Sequence, residues 1–64
     1  MTYLQKVRFL REEHFFELND WCREFIEDLY SDILIAEPTD KEYDEFLTKR
    51  QKEKIDEIWK DAGL

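Results

Sequence analysis

The chain has 64 residues, enough for one domain at most and close to the size at which a single hydrophobic core is only marginally sufficient. Its one cysteine, Cys22, excludes an internal disulfide, and with 42% of residues charged there is no apolar run near the roughly 20 residues that span a bilayer. A formal net charge of −7 argues against direct nucleic-acid binding, which rests on neutralising phosphates with Lys and Arg, and favours basic surfaces as partners.

The charge is unevenly spread. Residues 1–11 hold Lys6, Arg8 and Arg11 with no acid (+3), residues 12–47 hold thirteen acids against Arg23 and Lys41 (−11), and residues 48–64 hold five bases and four acids (+1). The basic start lacks the long apolar stretch and small-residue cleavage site of a secretory signal, so the expected compartment is the cytoplasm, with which a lone reduced cysteine agrees.

In chain order, Leu18, Trp21, Cys22, Phe25, Leu29 and Ile33 recur at steps of three and four, the spacing of one helix face. Projected backward at 100° per residue, Tyr3, Leu4, Val7 and His14 join the same stripe, so one helix could cover residues 3–35 and reach roughly 50 Å. The polar stretch Arg11-Glu12-Glu13-His14 supports the competing reading, a break near residue 12. A continuous helix would be too long for the rest of the chain to cover and would imply a dimer, whereas a broken one could fold back on a monomeric core. From Phe15 onward a second apolar set, Phe15, Phe16, Ile26, Tyr30 and Ile33, widens the nonpolar arc beyond what one neighbouring helix covers.

Pro38 ends this region and biases Glu37 away from helical angles, placing a loop at 35–39. Thr39-Asp40-Lys41-Glu42 then reads as a capping box, with Asp40, Glu42, Asp44 and Glu45 at the positive end of the following helix. Within the helical region 40–62, Tyr43, Phe46 and Leu47 form one apolar group and Ile55, Ile58, Trp59 and Ala62 another, separated by the polar stretch 48–54. Either one helix crosses that stretch, or Thr48 caps a new helix with Gln51 as its partner; Gly63 is the stop. With no strand pattern or repeat, the expectation is a single acidic all-α domain over 1–64: a helical hairpin or a three- to four-helix domain, or a bundle completed by dimerisation.

Chemistry is sparse. His14 and Glu17 share a helix face but supply two metal ligands where zinc usually needs three or four, so His14 reads as a surface or interface histidine paired with an acid. Cys22 lies on the apolar stripe beside Asp20 and Glu24, which oppose thiolate formation, and reads as a small core residue. The acid pairs, such as Asp40 with Asp44, form no twelve-residue calcium loop, and a single glycine leaves no phosphate cradle. The basic cluster Lys49, Arg50, Lys52 and Lys54 is interleaved with Glu53, Asp56 and Glu57, the pattern of ordinary helix pairs. No catalytic set, metal site or cofactor is expected.

The stretches Glu17-Leu18-Asn19-Asp20, Lys41-Glu42-Tyr43-Asp44-Glu45-Phe46 and Asp56-Glu57-Ile58 resemble the final helix pair of some bacterial extracellular sugar-binding lipoproteins. No ligand residue of that family carries over, and the resemblance implies an accessory fragment rather than a transporter component.

Two function classes follow. The first is a noncatalytic protein–protein interaction module that self-associates, as a dimer, or docks another protein through an aromatic helix face of Phe15, Phe16, Trp21, Phe25 and Tyr30, since aromatic side chains dominate interface energetics. The second is an acidic inhibitor or regulator, of a kind that bacteria or phages could encode, that presents Glu24, Glu27, Asp28 and Asp32 to a basic, nucleic-acid-binding partner.

Overall fold

The computed structural model describes all 64 residues and contains four α-helices, one 3₁₀ turn and no strand, so the chain is an all-α domain. Helix α1 spans Tyr3–Glu12, the 3₁₀ turn Phe15–Glu17, α2 Asp20–Ala36, α3 Asp40–Phe46 and α4 Lys49–Asp61. In both halves the shorter-element reading is the one realised. The continuous helix over 3–35 does not form: α1 stops at Glu12, and α2 starts afresh where the Asn19 side chain accepts from the Cys22 amide at 2.8 Å. Arg23 Nε donates to the Leu18 carbonyl at 2.8 Å and ties the incoming chain to the new helix. The overall extents of 27 × 20 × 18 Å leave no place for a 50 Å rod.

Capping explains the other boundaries. Thr39 with Glu42 and Thr48 with Gln51 both form complete capping boxes, so the region 40–62 is two helices meeting at Leu47. Thr2 with Gln5 forms a third, at the start of α1. Helix α2 continues through Ala36, one residue beyond the expected end, and stops at Glu37, whose φ of 45° and ψ of 53° are left-handed. A side chain in that conformation costs about 1–2 kcal/mol, and Pro38 holds the chain there by preventing another helical turn.

Helix α1 is the hub and contacts each of the other three helices. Its basic residues match acids on both neighbours: Lys6 Nζ and the Tyr3 hydroxyl donate to the two oxygens of Asp56 on α4, at 2.9 and 2.8 Å. On the α2 side, Arg11 Nε donates to Glu27 at 2.9 Å and the Tyr30 hydroxyl donates to Glu12 at 2.6 Å. The core grouping of Val7 with Leu29, Ile33 and Ile55, and of Leu10 with Ile26 and Ile58, runs α4 parallel and α2 antiparallel to α1. Between them Val7 packs with Leu29, Ile33, Tyr43, Leu47 and Ile55, while Leu10 packs with Leu18, Ile26 and Ile58. These ten residues are the buried core, and none is charged.

Several apolar residues differ from their expected places. Leu10 is fully buried although the projected stripe passed it by, because the break at 13–19 resets the helical phase between α1 and α2. Trp21, expected on the apolar stripe and in the aromatic interface face, is 57% exposed at the edge of α2. Cys22 is half-buried against the Leu10 cluster. The stretch Glu17 to Ile58 that resembled a helix pair contains three helices. No helix is long and apolar enough to cross a membrane.

Two outcomes test this core. Leu10→Ala should lower unfolding free energy by about 2–5 kcal/mol in urea titrations, whereas Phe16→Ser, at an 86% exposed position, should change it by no more than about 0.5 kcal/mol. Burial pushes the Asp56 carboxyl up, but the hydrogen bonds from Lys6 and Tyr3 outweigh it and hold the group below its ordinary 3.8. A carboxyl depressed in the folded state contributes stability above its unfolded value and loses it as pH falls through the folded one. The stability difference between wild type and Asp56→Asn should therefore be present at neutral pH and shrink as pH drops below 3.8.

Candidate functional site

Helix α2 divides into three strips. Cys22, Ile26, Leu29 and Ile33 face inward. At 100° per residue, Arg23, Glu27 and Tyr30 fall on the flank toward α1, where Glu27 and Tyr30 make the contacts described above. Trp21, Phe25, Asp28, Asp32 and Ala36 fall on the opposite flank, toward α3 and α4, with Glu24 at its outer edge. There the Trp21 and Phe25 rings stack with centroids 5.4 Å apart, and the Lys54 ammonium of α4 stands 4.6 Å over Trp21.

This geometry sorts the expected interface residues into separate groups. Trp21 and Phe25 belong together on the outer flank. Phe15 and Phe16 touch edge-to-face at 5.7 Å in the 3₁₀ turn, with the Arg11 guanidinium 4.3 Å over Phe15. Tyr30 lies on the α1 side, bonded to Glu12. Of the expected acidic face, Glu24, Asp28 and Asp32 are exposed along the outer flank, while Glu27 turns to Arg11. The structure thus offers a three-carboxylate ridge with an aromatic stack at one end.

Its other end is a cleft that sequence reasoning missed. Asp32 and Ala36 of α2, Pro38 of the connection, and Glu42, Tyr43 and Phe46 of α3 enclose about 240 Å³. That is below the roughly 300–1,000 Å³ of small-molecule pockets and suits one inserted side chain. Phe46 is 57% exposed and stacks on Tyr43 at 6.1 Å; Ile35, on the adjoining outer surface of α2, is 84% exposed. A signal was available, because the consecutive residues Ile33, Leu34 and Ile35 cannot all share one helix face.

Two polar groups give the cleft its chemistry. Tyr43 is 1% exposed, and its hydroxyl is the buried side-chain polar atom without a hydrogen-bond partner. Burial, reinforced by the negative charge of Asp32, drives its pKa far above the ordinary tyrosine value, so the phenol stays protonated. Glu42 Oε1 accepts from the Thr39 amide at 2.9 Å, and that backbone bond, with the Thr39 side chain, holds the carboxyl below its ordinary 4.5. Glu42 is therefore an ionised group fixed in position by the α3 cap.

Elsewhere, His14 Nδ1 lies 2.8 Å from Glu17 Oε2, and both border a smaller cavity of about 140 Å³ that also touches Cys22 and Asp61. No three His, Cys, Asp or Glu side chains are grouped to hold a metal ion. No protein-family model, curated protein or solved structure matches the chain.

The orphan hydroxyl generates a direct expectation. An unpaired buried polar group costs about 1–3 kcal/mol, so Tyr43→Phe should leave stability unchanged or raise it by up to about that amount in urea titrations. A clear loss of stability would mean that the hydroxyl has a partner in the folded protein.

Proposed function

We propose that this chain is a noncatalytic protein–protein interaction module that docks a basic protein through the outer flank of α2. The observation that carries this reading is the line of exposed carboxylates, Glu24, Asp28 and Asp32, bounded by Trp21 at one end and Phe46 at the other. Aromatic anchors beside a single-sign charge ridge suit a basic amphipathic surface, with the charges steering encounter and the rings supplying buried area. Lys54, which stands over Trp21 at one end of the ridge, is already engaged with that ring and with Glu57. A nucleic-acid-binding protein has the required basic surface, and covering that surface would inhibit it.

A second reading, self-association, is favoured by Phe16 and Leu34, which are 86% and 60% exposed and lie off the carboxylate ridge. The two readings separate on light scattering across a concentration series in low and high salt. A monomer at both salts supports the heterologous partner; a dimer at both supports self-association.

Binding of a cationic amphipathic Leu/Lys helical peptide tests the leading reading. Affinity should fall steeply as salt screens the charges, and Glu24→Gln/Asp28→Asn/Asp32→Asn should weaken it by about tenfold or more, as loss of a few charge-pair interactions implies. Equal binding by that triple variant would remove the ridge from the docking surface.

A further inference from the structure

We propose that the cleft between α2 and α3 is an anchor socket for an arginine side chain carried by the basic partner, an inference that rests on the docking surface assigned above. The aliphatic stem lies against Ala36, Pro38 and Phe46, and the guanidinium sits between the carboxylates of Asp32 and Glu42 and accepts no competition from a resident base, since none lines the cleft. The Tyr43 hydroxyl, buried and unpartnered in the free protein, accepts one of its N–H groups.

Three features choose this occupant. First, a volume of about 240 Å³ takes one long side chain. Second, the negative potential has several sources: Asp32, Glu42 and the carboxyl end of α2, whose last turn carries no basic residue to offset its dipole. The first turn of α3, which opens on the same cleft, is already countered by Asp40 and Glu42. Third, the available contacts are planar and forked. Glu42 is held by Thr39 through one oxygen and leaves the other free, and Phe46 presents more than half its surface. Guanidinium stacks on aromatic faces, donates five hydrogen bonds in a rigid fork and sheds water more readily than ammonium, so arginine fits better than lysine. Tyr43, protonated throughout the accessible pH range, remains an acceptor at the cleft floor. Its hydroxyl is buried and feels the charge of Asp32, which lines the cleft with it, and the exposed ring of Phe46 stacks on the Tyr43 ring at the same wall.

The test is a ¹H–¹⁵N titration of the full chain with Nα-acetyl-arginine N-methylamide, beside its neutral citrulline analogue and the lysine equivalent. Saturable shifts should centre on Asp32, Ala36 and Glu42 to Phe46, with the citrulline analogue weaker by about tenfold, the value of one charge-assisted hydrogen bond. Asp32→Asn and Glu42→Gln should each weaken binding several-fold, and Gln at 42 keeps the capping box, so the fold is preserved. Tyr43→Phe should weaken arginine binding while retaining or raising stability, which a purely structural role for the hydroxyl would not produce. Shifts spread over remote acids such as Glu13 and Glu53, an equal response to citrulline or lysine, or undiminished binding by Tyr43→Phe would each overturn the socket. Binding of the Leu/Lys peptide with no arginine response would defeat the socket and leave the docking surface standing; failure of both would remove both.

Discussion

The fold depends on covering one ten-residue helix from three directions at once. Helix α1 places Val7 and Leu10 at 0% exposure, and every other buried residue belongs to one of the two clusters around them. Neither cluster could close without the interruptions at 13–19 and 37–39, because straight continuations would carry Ile26 and Ile58 away from Leu10, and Tyr43 away from Val7. For a chain this short, with few core residues available, the caps that turn it back matter as much as the apolar residues they bring together.

The same arrangement accounts for the uneven charge. Much of the basic N-terminal segment is used within the molecule: Lys6 bridges to Asp56 on α4 and Arg11 to Glu27 on α2. Exposed ion pairs of this kind add little stability individually, but here they sit along the two seams of the hub helix and set which neighbour lies on which side. Their formation also leaves the acids on the far flank of α2 without matching bases. The anionic ridge is thus partly a consequence of where the limited positive charge is spent.

Legibility in the sequence followed the range of the interaction. Local signals read correctly: Pro38 marked the end of the first region, Thr39-Asp40-Lys41-Glu42 marked the start of α3, and Thr48 with Gln51 was recognised as one way to divide the second half. His14 and Glu17 were read as partners and lie 2.8 Å apart. Where interpretation required carrying helical phase across a break, it failed. Leu10 falls outside the projected stripe but inside the core, because α1 and α2 share no common register. The cleft was illegible for a related reason: Asp32 and Tyr43 are eleven positions apart on different helices, and only the angle between α2 and α3 makes them neighbours.

That cleft also shows why its residues are hard to explain by folding alone. Phenylalanine at position 43 would fill the same space without an unsatisfied hydroxyl, and a base at position 32 would relieve a surface already carrying net negative charge. A small domain with little stability to spare would be expected to resolve such conflicts in favour of the core. Tyr43, Asp32, Glu42 and the exposed ring of Phe46 instead leave a hydrogen-bond acceptor, two carboxylates and an aromatic face converging on one volume. The unpartnered hydroxyl and the exposed ring are mildly unfavourable in the isolated chain, Glu42 already serves the α3 cap, and a guanidinium between the two carboxylates would engage all four groups at once.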